Sequence, residues 1–278
     1  MIHRSFASLV LMLSLPFFIQ CRGNTPDEPP GTQTDILFII DNSASMYNEA
    51  EALAMNFDGF MAQIANIDHQ LAITTTDVAA TYGALYGDSP IIKPGDDDRS
   101  ATFQENLLCS ATCFNQSMVP SNPAYICGDP VEEVSQEYLN CVCGPDQWAG
   151  HCGSGQEEHL EALFMALCRS TNSPPDECFE QNQFEEPDIG SNTGLLRENA
   201  TLIPVIISDE GDTSRRLAQG EPEPTVYEQL YEKFGRQMTF AVIGPDPYNV
   251  CNSGGAVSWG VDRFQYFIDE TQGGWFGG

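Results

Sequence analysis

The stretch DILFIIDNSASM (35–46) closes an apolar run on Asp41 and sets Ser43 and Ser45 two and four residues beyond it. A helix cap needs one such oxygen; three at alternate positions can converge on one ion. Two further segments offer the same chemistry. GSGQEE (153–158) precedes an apolar stretch of helical period, and LIPVIISDEGD (202–212) ends a second apolar run in Asp209, Glu210 and Asp212. Carboxylates and hydroxyls brought from separate loops are hard oxygen ligands, suited to Mg²⁺ or to Ca²⁺ and Mn²⁺; zinc would call for His or Cys.

Those oxygens need a scaffold that brings three distant segments together. Residues 35–41 and the run starting near 201 are apolar almost throughout, as strands buried on both faces are. Between them, SASMYNEAEALAMNFDGFMAQIAN carries Met46, Leu53, Met55, Phe57, Phe60, Met61 and Ile64 at helical spacing behind a serine cap. HQLAITTTD (69–77) reads as a second strand, and TYGALYGDSPIIKP as a short hairpin or edge strand. A cysteine-, Asn- and Pro-rich insertion occupies about 105–152. The helix that follows places Leu160, Leu163, Phe164 and Leu167 on one face, and a polar loop spans 171–193. A helix near 224–236, a strand at 238–245 and a helix near 261–270 follow, with GGWFGG where a last edge strand belongs, minimal or cut short. This alternation predicts an α/β fold: an open, doubly wound, mostly parallel sheet flanked by helices, with a disulfide-rich insertion. Ligands of such sheets sit outside the carboxyl ends of the strands, where all three oxygen clusters fall.

In these features the chain resembles the von Willebrand factor A domain, whose metal-ion-dependent adhesion site carries Asp-x-Ser-x-Ser after the first strand, a threonine from a second loop and an aspartate from a third. DILFIIDNSASM matches the first element and LIPVIISDEGD the third, with Asp209 as its aspartate. Where the threonine is expected the sequence has an acidic run, with Glu157 nearest the position and Ser154 and Glu158 as rivals. The resemblance covers residues 35–270 apart from the insertion and the polar loop. It extends to exported bacterial A-domain lipoproteins through Thr75-Thr76-Asp77, HCGSGQEE (151–158) and SDEGD (208–212). It implies a metal held by Asp41, Ser43, Ser45, Asp209 and Glu157, with Asp77, Glu210 and Asp212 in supporting positions. It also implies a protein ligand whose acidic side chain completes the coordination, in adhesion or complex assembly rather than catalysis. Simpler readings stand beside each piece: Ser43 as a helix cap, Glu157 and Glu158 as first-turn acids favoured by the helix dipole, and Asp77 as a turn former.

The chain has 278 residues, with 40 acidic against 11 basic residues, a formal charge of −29. Such a surface repels nucleic acid and anionic lipid. It also opposes an acidic partner at long range, so association should quicken as salt screens the repulsion. Arg4 and the apolar residues 5–19 read as an export signal, 1–20, too short for a good membrane span. Cys21 follows at the position of a lipidated first residue, and 21–34 reads as a tether. Export then leaves a domain over 35–278, with a membrane link only through the lipid. Ten cysteines fit an oxidising compartment. Cys109 and Cys152 are candidates to pin the ends of the insertion. Cys141, Cys143, His151 and Cys152 lack standard zinc spacing, so disulfides are the better reading there. His69 flanks a strand and His159 reads as a surface residue. No serine-hydrolase elbow, phosphate loop or His-Glu-x-x-His motif is present. The alternatives are a metal-assisted hydrolase using the same ion and a structural envelope protein with a vestigial site.

Overall fold

The computed structural model describes residues 33–43, 46–111, 156–180, 188–214, 224–244 and 260–277. The expected export signal, Cys21, the tether up to residue 32, Ser45, Cys152, Ser154 and most of the insertion lie outside the described residues, while Gln33 and Thr34, expected in the tether, already belong to the first strand.

Six strands form one sheet. They are β1 (Gln33–Ile40), β2 (Asp68–Thr75), β3 (Ile91–Ile92), β4 (Thr201–Ile207), β5 (Ala241–Gly244) and β6 (Gly274–Gly277), in the order β3-β2-β1-β4-β5-β6. All neighbours pair parallel except β2 and β3. The fold is therefore the expected α/β open sheet with an antiparallel edge. The expected last edge strand exists as the four-residue β6.

Helices cover both faces, so β1 must be apolar on both sides and its residues divide by parity. Leu37 and Ile39 join a core formed with α4 (His159–Arg169), α5 (Pro224–Glu232) and α6 (Val261–Thr271). Ile36, Phe38 and Ile40 join the opposite core with α1 (Tyr47–Gln63) and α3 (Arg99–Ala111). In that second core the rings of Phe57 and Phe103 stack at 3.5 Å between centroids, and Phe38 meets Phe103 edge-on at 4.9 Å.

Three local expectations are revised. α1 has Met46 rather than a serine as its N-cap residue, with no side-chain cap bond from it, and the Ser43 carbonyl accepts from Met46 N. Residues 99–111 form α3 and reach into the stretch expected to be irregular, because Phe103 and Leu107, four apart, bury one helical face. Finally, α4 is buried from His159 to Cys168 rather than along one stripe, because it is enclosed by the sheet, α2 (Val78–Thr81) and α5. Gly83, just past α2, has φ +72 and lies so close that an added Cβ would sit 2.3 Å from the Ala166 backbone nitrogen. Only glycine fits that approach.

One disulfide among the described residues, Cys168–Cys178, ties the end of α4 to a 3₁₀ turn at Asp176–Phe179. Cys109 is also disulfide-bonded, to a residue outside the described ones. At the amino edge of the sheet, Arg197 donates to Asp35 from Nε and its backbone N, both at 2.7 Å, and from Nη1 to Asp68 at 2.7 Å. This clip ties the starts of β1 and β2 to the loop before β4.

Candidate metal centre

The sheet order reverses direction at β1: the chain goes to β2 on one side and returns to β4 on the other. The carboxyl ends of β1 and β4 therefore flank the crevice where open α/β sheets bind ligands. The parallel register levels three strand ends, with Ile40 opposite both Thr75 and Ile207. The ladder continues one step further, through Thr76 N to Ile40 O at 3.1 Å and Asp41 N to Ile207 O at 2.9 Å. The next residue on each strand, Asp41, Thr76 and Ser208, thus stands at the same height. All three are buried, Asp41 to 1% exposure.

Asp41 is held by two donors. Ser43 N reaches Oδ1 at 2.8 Å, and Ser208 Oγ donates to Oδ2 at 2.7 Å. The Ser208 hydroxyl also accepts from Glu210 N at 3.0 Å, which bends the SDEGD turn back over the strand end.

Glu157 enters from the segment before α4. Its backbone carbonyl accepts from Thr213 N at 2.7 Å and Thr213 Oγ1 at 3.2 Å, while Glu158 N donates to Thr76 O at 3.3 Å. These bonds lay residues 157–158 between the end of β2 and the turn after β4. The Glu157 side chain, 1% exposed, accepts from Thr76 Oγ1 at 2.6 Å and is within hydrogen-bonding reach of the Asp41 carboxyl. Burial and the adjacent Asp41 charge push Glu157 up to about 8, against a smaller opposing effect of the Thr76 hydroxyl. Two carboxyl groups at this spacing need a proton or a cation between them. That requirement, with the hydroxyls beside them, fits a hard divalent ion.

The other expected residues divide. Ser43 is half-buried beside Asp41. Asp209 is half-buried, and its charge, after burial itself, raises Glu210 and Glu49 of α1. Glu210, raised also by Asp41, in turn adds to the raised Glu157. Asp77 and Glu158 are buried at the starts of α2 and α4. Asp212 contacts two helices. It is fully buried, with Oδ1 accepting from Leu160 N at 3.1 Å and Oδ2 from Arg263 Nη1 at 2.8 Å. Burial alone would raise its carboxyl, but the His159, Ser214 and Arg263 contacts outweigh that and hold it low. It caps α4 and joins it to α6.

His159 is the clear correction: expected at the surface, it is fully buried, 3.8 Å from Asp212 and edge-on to Phe264. Its position opens an all-round buried helix, which a one-faced periodicity does not reveal. His69 lies within β2, buried. Thr76 and Ser208 lie outside the expected ligand set, although each directly follows a strand that pairs with β1. Among the described residues no group of three or more His, Cys, Asp and Glu side chains is arranged to hold a metal. The expected ligand set depends equally on serines, one of which, Ser45, is outside those residues.

No family model matches the chain, and no curated protein matches it. Among solved structures, proximal thread matrix protein 1 from the mussel byssus is similar over 84% of this chain and 41% of that one, at 14% identity and a TM-score of 0.35. This chain thus spans less than half the length of that structure, and a likeness at this level carries no argument about fold or function.

Proposed function

We propose that the chain is an exported cell-envelope module that binds a protein ligand through a divalent cation at the carboxyl edge of its sheet. Mg²⁺ is the first choice of ion, with Ca²⁺ and Mn²⁺ as alternatives. Asp41, Ser43, Ser45, Glu157 and Asp209 would hold it, some through water. When bound, the ion supplies a Lewis-acidic position to which a partner oxygen, such as an acidic side chain, attaches. The chain's own residues do the rest: Ser208 orients Asp41, the Thr213 contacts fix the Glu157 backbone, and burial excludes competing water.

One observation carries the reading above all. Asp41 and Glu157 are two buried carboxyls from segments more than a hundred residues apart, facing one another on a switch-point edge. Such a pair is costly unless a cation or a shared proton offsets it. The resemblance of DILFIIDNSASM and LIPVIISDEGD to the A-domain site points to the cation. Export rests on the reading of residues 1–20, and anchoring on Cys21.

Calorimetry with Mg²⁺, Mn²⁺ and Ca²⁺ on the wild type and Asp41→Ala tests the metal. Saturable heat in the wild type, lost in the variant, supports it; no heat with any ion in the wild type contradicts it. Binding of envelope proteins that is abolished by chelator and by Asp41→Ala then tests the ligand-binding role.

A further inference from the structure

We propose that Thr76 is a specificity-determining positioning residue: by occupying one oxygen of Glu157 it makes that side chain a one-oxygen ligand and biases the site toward Mg²⁺ over Ca²⁺. This rests on the metal reading above and assigns a role to a residue outside the expected ligand set.

Geometry carries the inference. A glutamate in place of a threonine has more rotatable bonds, and fixing such a side chain costs conformational freedom. Thr76 supplies the restraint. Its hydroxyl donates to Glu157 Oε2 at 2.6 Å, and both side chains are buried. The backbone of Thr76 is itself anchored at both ends of the site. Thr76 N binds Ile40 O, the residue before Asp41, and Thr76 O accepts from Glu158 N, the residue after Glu157. A third bond, Val78 N to Thr76 O at 2.9 Å, fixes the turn into α2. Thr76 thus sets the height of the Glu157 carboxyl relative to Asp41.

With Oε2 engaged by a hydroxyl proton, Oε1 is the oxygen left to face Asp41. A carboxylate restricted to one oxygen suits Mg²⁺, which demands compact octahedral coordination. Ca²⁺ is larger and readily takes both oxygens of a glutamate. Removing the hydroxyl frees Glu157 to rotate and bind through either or both.

The test is calorimetry of Mg²⁺ and Ca²⁺ binding to the full chain as wild type, Thr76→Val and Thr76→Ser, with thermal melting to verify folding. Loss of a supporting hydrogen bond to a ligand typically weakens metal binding roughly 10–100-fold. Thr76→Val should therefore weaken Mg²⁺ by about tenfold or more and Ca²⁺ by distinctly less, lowering the Mg²⁺/Ca²⁺ affinity ratio. Thr76→Ser, which keeps the donor, should restore the ratio. In a Glu157→Thr background, Thr76→Val should leave the ratio unchanged, because its route of action is gone. If Thr76→Val does not fold, Thr76→Ala takes its place. Equal losses for both ions, no loss, no rescue by serine, or an undiminished effect in the Glu157→Thr background each overturns the inference while leaving the metal site standing. A wild type that binds neither ion overturns the metal reading and this inference with it.

Discussion

Replacing Glu157 by glutamine should remove a pH dependence of folding that the wild type must show in chelator. The folded protein holds the Glu157 proton until about pH 8, because burial and the Asp41 charge oppose ionisation, whereas the ordinary value is 4.5. Below 4.5 both folded and unfolded chains carry the proton, and its stabilisation is fully present. Between 4.5 and 8 the folded chain binds one proton more than the unfolded, so stability falls as pH rises. The slope is at most just over 1 kcal/mol per pH unit, giving a loss of up to roughly 5 kcal/mol across the window. Above 8 the contribution is gone. Glutamine imitates the protonated side chain and can still accept from Thr76. Other groups contribute as well: Glu210, Glu49 and Asp35 are raised and act in the same direction, while His69 is lowered and acts against them. The difference between wild type and Glu157→Gln cancels Glu49, Asp35 and His69, which are not among the charges acting on Glu157. Urea denaturation in EDTA from pH 4 to 9 should give stabilities that converge at the acid end and diverge by several kcal/mol at pH 9, the variant being the more stable. Saturating Mg²⁺ should flatten the wild-type profile, since the ion does the work of the proton. Parallel profiles for the two proteins in EDTA would refute the buried pair.

Two other substitutions probe the scaffold. Arg197→Ala leaves Asp35, whose side chain is 2% exposed, without its guanidinium, and should cost about 3 kcal/mol in urea denaturation. The clip lies about 20 Å along β1 from Asp41, so Mg²⁺ affinity measured by calorimetry should be unchanged, and a large change would show the two edges to be coupled. Gly260→Ala places a Cβ 2.1 Å from the Asp212 carbonyl oxygen at a residue with φ +80. It should lower stability by about 2 kcal/mol or more, and an unchanged urea midpoint would contradict the close approach of α6 to the Asp212 turn.

The sheet was legible because its central strands are buried on both faces: residues 35–40 and 201–207 leave little choice of period, and an acid within two residues of each, Asp41 and Asp209, marks the carboxyl edge. α3 was harder to see. Phe103 and Leu107 give a single apolar step in a stretch whose cysteines and prolines signalled irregular chain. The burial of His159 was hidden for a related reason. It belongs with Asp212 to a polar network sealed inside, and pattern reading assigns polar residues to the surface unless a partner is visible. Glu157 could be found by counting back from α4, but its hydrogen-bond donor could not. Thr76 reaches it through parallel pairing with β1, and which strands are neighbours is a property of the sheet order. The same register places Ser208 against Asp41, from a position 167 residues away. A residue one step past a strand was therefore visible in the sequence, while its height beside Asp41 became evident only with the register.

The most direct measurement is anomalous diffraction from crystals of the protein soaked in Mn²⁺. The account predicts a single strong peak between the carboxyls of Asp41 and Glu157, lost in Asp41→Ala crystals. Manganese bound elsewhere, or the two carboxyls sharing a proton with no peak at saturating Mn²⁺, would contradict it.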